Sequence, residues 1–539
     1  SFINKMVQII WKLLVLILYV TLAFVSWLLW RFYIKPVIVR SRYRKHKNVF
    51  MGKGFYTPIL GDFLQVKKNL ENDEYLFNHL IQDGINSSKA RFQNRGTDKY
   101  ENEKDIQLIQ FGDSLRISAI STKAVDELNK IPTTICDRTQ SEFHALERAA
   151  PKSFTIVRTN QNWKKRREAF VRSMKLNYVS KNIPMVMKAL EDKVATWKEG
   201  QEINFSDEMK EVTFKVILTI LFGANLFDKI EKVGYEQEDG TIVQKSIPNA
   251  LNDLFHDHNS MFNHWLFLAS PSIAEFLNIP IMRRNKTNRD EIYRVLRNFL
   301  KKDADKDSVY QRVMTEHGLT EEEALQDTVF FLSAGLDTTA SGITSTIYLL
   351  KKYPETYQKL RKELEEAGVT KDSDFSDPEV QEAVSNCSYL YYVFKEMTRI
   401  DTPVTGSLLR VALKDFKLCE VPIPKGALVT FSFLHNHVNY EHWYEPTKFI
   451  PERFDPDHPY FNNPIDHKSR RNPTIHSPFG FGLRKCPGQV LATLETKFMV
   501  AKLVLMMDYD VAKDQLTRDH MKFSFISHHR LRITYKGML

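Results

Sequence analysis

A glycine-rich loop near the C-terminus offers one cysteine for chemistry. The loop reads Phe479-Gly480-Phe481-Gly482-Leu483-Arg484-Lys485-Cys486-Pro487-Gly488. A thiolate, and not a thiol, binds metal, and both nearby cations and a helix N-terminus lower the pKa of a cysteine. Arg484 and Lys485 supply the cations, and Pro487 suits the first turn of an apolar helix predicted from Gln489 to Met507. The pattern predicts a metal-binding thiolate at a helix entrance, against the alternative of an ordinary buried cysteine.

This loop resembles the heme-binding signature of the cytochrome P-450 family, in its membrane-anchored, microsomal type, whose members are heme-thiolate monooxygenases. The resemblance implies that Cys486 is the axial ligand of heme b (iron protoporphyrin IX). It further implies that Arg484 pairs with a heme propionate and that Phe479 and Gly480 lie beside the porphyrin. A thiolate ligand pushes electron density towards the iron and favours O–O cleavage.

The fold that the resemblance implies is mainly α with small β-sheets, and the heme lies between a long distal helix and the helix after the cysteine loop. Short strand patterns at 407–412, 427–433 and 531–535 agree with small sheets. No Gly-x-Gly-x-x-Gly follows a strand, so flavin and nicotinamide domains are not expected in this chain. Electrons from NADPH would therefore arrive through a separate flavoprotein reductase.

A second motif in the family's order is Glu396-Met397-Thr398-Arg399. Residues three apart share a helix face, so Glu396 and Arg399 can form a charge-assisted pair, although many such pairs lie at the surface. Residues 449–454 resemble the family's meander segment, which implies that Arg453 completes a buried structural lock with this pair. Residues 400–403 read Ile-Asp-Thr-Pro where many relatives have His-Pro-Pro, so the resemblance does not define the lining of the substrate pocket.

A third motif, Ala334-Gly335-Leu336-Asp337-Thr338-Thr339, lies in an apolar stretch from about 321 to 350 and resembles the family's oxygen-activation helix. Gly335 and the threonines weaken regular helical bonding and permit a local kink. Splitting dioxygen with two electrons consumes two protons, so Asp337 and Thr338 are the candidate catalytic proton relay. The alternative is a Ser/Thr-rich helix that only packs or bends.

Two weaker similarities concern the heme propionates. Residues 163–167 resemble the family's Trp-x-x-x-Arg helix, and Arg410 follows the second motif at a familiar distance. The resemblance implies that Trp163, Arg167 and Arg410 bind the propionates. Residues 164–166, all basic, are interpreted as a solvated face that an acidic reductase could dock against.

The N-terminus predicts one membrane-spanning helix. Residues 13–30 form an uninterrupted apolar run that would span about 27 Å as a helix. A cleaved signal peptide is the alternative, but the run is long and no Ala-x-Ala site follows it. A cluster of cations within 31–47 places the main domain in the cytosol. The predicted organisation is a signal anchor at 1–30, a basic juxtamembrane segment and linker at 31–61, and a monooxygenase domain at 62–539.

Charge and cysteine usage agree with this organisation. The 76 Lys and Arg exceed the 66 Asp and Glu by ten, and part of the excess lies beside the apolar run, where anionic lipids attract it, so nucleic-acid binding is not needed to explain it. Cys136, Cys387 and Cys419 are far apart and show no zinc-type spacing, so they are predicted to be core residues of a protein in a reducing compartment. Relatives with such an anchor usually lie in the endoplasmic reticulum membrane.

The resulting hypothesis is a heme-thiolate monooxygenase that inserts one atom of O2 into a lipophilic substrate and reduces the other to water. Two alternatives keep the heme. One is an isomerase or dehydratase that acts on peroxides, and the other is a non-catalytic, membrane-tethered heme sensor. The intact Asp337-Thr338 pair favours the monooxygenase.

Overall fold

The fold was described from a computed structural model. The structure describes residues 2–51, 61–71, 78–99, 101–111, 114–138, 148–224, 226, 232–261, 264, 266, 271–516 and 531–539. Helices α1 to α20 are, in order, Phe2–Leu29, Lys35–Tyr43, Phe63–Glu71, Asn78–Gln93, Thr122–Lys130, Gln161–Ser173, Leu176–Val179, Ile183–Val194, Phe205–Phe222, Ile247–Met261, Pro271–Phe276, Pro280–Asp303, Val309–Thr315, Glu321–Lys352, Pro354–Glu366, Pro378–Asn386, Ser388–Ile400, Phe433–His437, Gln489–Met506 and Lys513–Leu516. Strands β1 to β13 are Val49–Met51, Ile106–Phe111, Ser114–Ala119, Cys136–Arg138, Glu202–Asn204, Lys232–Glu236, Ile242–Ser246, Arg410–Ala412, Phe416–Leu418, Val421–Ile423, Leu428–Phe431, Met507–Val511 and Arg532–Met538.

The strands form small sheets around a helical body. The largest sheet has the order β1-β2-β3-β11-β8-β4, with parallel β1/β2 and β3/β11 pairs and antiparallel pairs elsewhere. A three-stranded sheet has the order β12-β13-β5, and β9/β10 and β6/β7 form two-stranded sheets. The prediction of a mainly α fold with small β-sheets is confirmed.

Helix α14 is the long central helix of the body. Thr320 and Glu323 form a capping box at its start, acidic residues fill its first turn, and Lys351 and Lys352 end it, so both ends complement the helix dipole. Most of its residues are buried, and α9, α17 and α19 pack along it. The predicted apolar stretch at 321–350 therefore forms one continuous helix through the core.

The N-terminal helix is long and apolar enough to cross a membrane, over Met6–Tyr43, and no part of its most apolar window is buried by the protein. After a π-helical turn at Trp30–Ile34, the chain continues as α2, which packs on the main body of the protein. Pro36 and Tyr43 are buried, and the Tyr43 hydroxyl donates to the Pro422 carbonyl at 2.8 Å. The segment predicted as juxtamembrane and linker thus includes a docked helix and strand β1, while residues 52–60 lie outside the described part of the chain.

Helix α19 carries a buried acid that no predicted role uses. Glu495 is 3% exposed, and its Oε1 has no hydrogen-bond partner among the described residues. Burial raises the pKa of this carboxyl to about 8. The folded state therefore favours the protonated acid. The contribution of this group to the free energy of unfolding is largest at acidic pH and declines as pH rises from the usual glutamate range to about 8.

We expect Glu495→Gln to remove this decline, because the amide cannot ionise. The variant should gain on the order of a few kcal/mol over wild type at pH 8 and little at pH 5, measured by thermal or denaturant unfolding at both pH values. Glu365→Gln is the matched control, since Glu365 forms an exposed pair with Arg361 at 2.8 Å. If the stability of wild type and that of Glu495→Gln changed in parallel with pH, the raised pKa of Glu495 would be contradicted.

Candidate heme site

The cysteine loop closes on itself before α19 begins. The Cys486 N–H donates to the Phe479 carbonyl at 2.8 Å, and Gly480 and Gly482 adopt φ values of +73° and +58°, which favour glycine. Pro487 lies just ahead of the helix, which begins at Gln489. Phe479 stacks on Phe394 with ring centroids 6.4 Å apart, so the start of the loop is anchored to α17.

The Cys486 side chain is exposed to solvent, although protein atoms surround its thiol closely enough to desolvate it. Burial raises the pKa of this thiol, and the N–H groups of Gly488 and Gln489 with the charges of Arg167 and Lys485 act in the opposite direction. The expectation that the pKa of Cys486 is lowered is therefore wrong for the protein without a bound metal, because desolvation of the thiol outweighs the effect of the cations. A bound cation would reverse this balance, since a metal-coordinated thiol is deprotonated.

Helix α14 has one open face in an otherwise buried run. Ala334, Asp337, Thr338 and Ser341 are half-buried, whereas residues 324–333 and 342–350 are buried. The spacing of these four residues places them on one side of the helix. The Thr338 hydroxyl donates to the Ala334 carbonyl at 2.8 Å, the back-bonding expected of threonine in a helix. The predicted relay residues therefore lie on the exposed side of the central helix.

A cluster of donors lies beside the cysteine loop. Asn160 caps α6 by accepting from the Trp163 N–H at 2.7 Å, which places the indole in the core with its Nε1 unpaired among the described residues. The Arg484 guanidinium lies 4.3 Å from the Trp163 ring, and its buried Nε is likewise unpaired. Buried donors without acceptors are rare and each is costly.

Two further arginines belong to this cluster. The Arg410 guanidinium, on β8, lies 5.8 Å from the Phe431 ring and makes no hydrogen bond to the described residues. Burial lowers the pKa of Arg484 to about 10, and the charges of Arg410 and Arg167 act in the same direction, so the three cations are near one another. Arg167 donates to the Lys485 carbonyl at 2.7 Å, on the cysteine loop itself. Three of these groups, Trp163, Arg410 and Arg484, therefore have donors left for an anionic ligand.

The basic run 164–166 does not form one solvated face, contrary to the sequence interpretation. Arg166 is buried on α6 and binds Asp327 of α14 through two hydrogen bonds of 2.6 and 2.7 Å. Asp327 also accepts from the Phe154 N–H at 2.7 Å, and burial raises its pKa to about 6. Lys164 is exposed, and Lys165 is exposed with a hydrogen bond to the Gly318 carbonyl at 2.6 Å. Arg166 thus fastens α6 to the central helix and is not part of a docking surface.

The structure brings the three predicted lock residues together with no solvent exposure. Glu396 accepts from Arg399 Nε and Nη2 at 2.8 and 2.7 Å, and from Arg453 Nε at 3.1 Å. The Ile450 N–H adds a fourth bond to this carboxylate at 2.9 Å. The remaining guanidinium donors bind backbone carbonyls between 437 and 448. Every partner of the buried charge is therefore satisfied.

The lock is connected to the cysteine loop through one histidine. Arg399 donates to the His437 carbonyl at 2.6 Å, and His437 Nε2 accepts from the Ser477 N–H at 3.2 Å. The Gly480 N–H then binds the Ser477 carbonyl at 2.9 Å. Burial lowers the pKa of His437 to about 3, so the ring stays neutral and Nε2 can accept. His437 belongs to no motif recognised in the sequence, so nothing there signalled this role.

Comparisons with known proteins agree with this geometry. The family model for cytochrome P450 matches residues 94–535, and the chain belongs to that family. Members of the family bind heme b through a cysteine thiolate and use O2 with electrons from a reductase.

Among curated relatives, cytochrome P450 3A11 of Mus musculus is 26% identical over 332 residues, which are 59% of this chain and 61% of the relative. Cytochrome P450 3A12 of Canis lupus familiaris is 25% identical over 414 residues, 72% of this chain and 77% of the relative. The matches to the first relatives thus span less than two thirds of their length. The solved structure of retinoic acid-bound cyanobacterial CYP120A1 has the same fold, with a TM-score of 0.63 at 19% identity over 81% of this chain and 92% of that chain.

The residues at the site fit heme b. The exposed Cys486 side chain suits a thiolate ligand to the iron, and the donors left on Trp163, Arg484 and Arg410 suit two carboxylates. Two residues in contact with this set, Asp137 and Thr159, were missed by the sequence reasoning. Both bind Arg484 from parts of the chain more than 300 positions away, so no local pattern signals them.

We expect Glu396→Ala to yield protein that lacks heme. The substitution leaves two buried guanidiniums unpaired, which costs about 3–5 kcal/mol, and it removes the support of the loop that carries Cys486. Heme content per chain and unfolding midpoint measure the effect. Glu365→Ala, at an exposed pair with Arg361, is the control and should stay within about 0.5 kcal/mol of wild type with full heme. A stable, fully loaded Glu396→Ala protein would contradict the role of the lock.

Proposed function

We propose that this protein is a membrane-anchored heme-thiolate monooxygenase that inserts one oxygen atom of O2 into a lipophilic substrate. The observation that carries the proposal is the accessible Cys486 thiol beside the unpaired buried donors of Trp163 and Arg484. Heme bound there would supply the iron centre at which dioxygen is reduced. The net reaction takes substrate, O2, two electrons and two protons to hydroxylated substrate and water.

The chain's own residues would hold the cofactor at both its iron and its carboxylates. Cys486 would provide the thiolate, with the N–H groups of Gly488 and Gln489 directed at the sulfur. Trp163 Nε1, Arg484 Nε and the Arg410 guanidinium would donate to the propionates. Arg167 holds the loop by its bond to the Lys485 carbonyl, which favours a positioning role over direct contact with a propionate.

Asp337 and Thr338 would hold and pass on the protons that dioxygen reduction consumes. Both lie on the open face of α14, and the Thr338 hydroxyl already has an acceptor in the Ala334 carbonyl. In that bond the hydroxyl hydrogen faces the Ala334 carbonyl, so the hydroxyl would turn away from this carbonyl to pass its proton on while a lone pair accepts the next proton. Asp337 is half-buried, so it can exchange protons with solvent.

Electrons would come from an NADPH-dependent flavoprotein reductase. Lys485 is exposed on the cysteine loop, Lys164 is exposed on α6, and Leu483 between the loop glycines is 60% exposed. Basic groups around an apolar centre suit an acidic partner, since charge complementarity orients the encounter. Anchoring by α1, with the catalytic body on the cytosolic side of the endoplasmic reticulum membrane, would bring such a membrane-bound partner within reach.

The experiment is turnover with NADPH, a flavoprotein reductase and a lipophilic substrate chosen by its spin-state shift. We expect Thr338→Ala to bind heme normally but to form several-fold less product per NADPH and more hydrogen peroxide, because proton delivery is impaired. Thr339→Ala is the matched control, since the neighbouring Thr339 is buried on another face of α14, and it should stay coupled.

Fully coupled turnover by Thr338→Ala would contradict the relay. Consumption of a lipid peroxide without NADPH would favour the isomerase or dehydratase. Heme loading without either reaction would favour the sensor.

A further inference from the structure

A buried aspartate lies behind the predicted propionate-binding arginine. Asp137 is on β4, the edge strand that pairs with β8, and Val411 of β8 is its partner in register. Its side chain is 5% exposed. No motif identified in the sequence includes it.

The Asp137 carboxylate joins the cysteine loop to the start of α6. Its Oδ1 accepts from Arg484 Nη2 at 3.2 Å and from the Thr159 hydroxyl at 3.2 Å. Its Oδ2 accepts from the Thr159 N–H at 2.7 Å. Thr159 directly precedes Asn160, the cap that sets Trp163. One carboxylate thus positions both Arg484 and the segment that places the indole.

The hydrogen bonds of Arg484 determine which of its N–H groups remain for a ligand. Its Nη atoms bind the Phe154 and Val157 carbonyls at 3.0 and 2.9 Å and the Thr159 hydroxyl at 2.9 Å, in addition to Asp137. Only the buried Nε has no acceptor in the described chain. The guanidinium is therefore fixed, with the Nε–H and one N–H of Nη1 left to offer a ligand.

Asp137 also sets the net charge of the donor cluster. Arg484, Arg410 and Arg167 sense one another's charge, and Asp137 is the carboxylate that is ion-paired with this group in the described structure. The pair is buried, so salt screens it weakly and its field persists over several ångströms. Reduction of heme adds one negative charge, and a weaker positive field makes that reduction less favourable.

We propose that Asp137 is a positioning residue that aims Arg484 at the heme and holds the heme reduction potential down by neutralising one of the surrounding cations. This inference rests on the proposed heme site. It assigns to β4 a role in tuning electron transfer from the reductase, which neither the cysteine motif nor the lock supplies.

The test is a redox titration of the purified, full-length holoprotein and of three variants. Asp137→Asn keeps the shape and removes the charge, Asp137→Glu keeps the charge, and Thr159→Ala removes a neutral acceptor of the same guanidinium. We expect a more positive midpoint potential for Asp137→Asn, and wild-type values for Asp137→Glu and Thr159→Ala. Equal potentials for wild type and Asp137→Asn, at equal heme loading, would overturn the proposal.

Heme loading decides the remaining outcomes. If Asp137→Asn does not load heme while Asp137→Glu does, the carboxylate charge is required and the proposal stands. If neither loads, the aspartate is needed to build the pocket and not to tune its potential, and the electrostatic role is overturned. Failure of the proposed function itself would be distinct, because the wild-type protein would then lack the thiolate-type spectrum of its reduced, carbon monoxide-bound form.

Discussion

The buried charge of Glu396 is the constraint on which the site depends. Its two oxygens are filled by Arg399, Arg453 and the Ile450 N–H, and the guanidiniums in turn bind the backbone of 437–448. A carboxylate with no solvent exposure holds its charge only with such complete pairing. His437 connects this ion network to the cysteine loop, because its Nε2 accepts from the Ser477 N–H. The loop that carries the Cys486 sulfur is therefore supported by a buried ion network.

The donors beside the cysteine loop differ from the lock because some of them are buried without an acceptor. Trp163 Nε1 and Arg484 Nε are buried and unpaired, at a cost of about 1–3 kcal/mol each. Such a cost is offset when a ligand with acceptors binds, and heme bound as proposed would offer two carboxylates to these donors. The lock stabilises the protein around the cysteine loop, and under the proposed function the donor cluster would bind the cofactor.

Motifs with local spacing were predictable, and contacts between distant segments were not. The sequence indicated the central helix over 321–350 and the helix from 489, and the structure has Glu321–Lys352 and Gln489–Met506. Glu396 and Arg399 share a helix turn, so their pairing could be derived. Arg166 was misassigned because its partner Asp327 lies 161 positions away. For the same reason Asp137 gave no sequence signal, since β4 is brought to Arg484 only by the sheet order.

The N-terminal segment illustrates a related limit. Apolar length predicts a membrane-spanning helix, and composition predicts a basic segment after it, but neither predicts that α2 is docked on the body. Tyr43 packs in the same core cluster as β1 and β10, so tertiary contacts join the end of the N-terminal helical segment to the body of the protein.

The most direct test of the account is the iron–sulfur stretching band of the ferric holoprotein by resonance Raman spectroscopy. The protein for this test would carry Ala at Cys136, Cys387 and Cys419, which are buried and free, so that Cys486 is the sole cysteine. Labelling with sulfur-34 cysteine should shift the band to lower frequency, because the heavier sulfur is bound to iron. A holoprotein with full heme and no isotope-sensitive band would contradict thiolate ligation by Cys486.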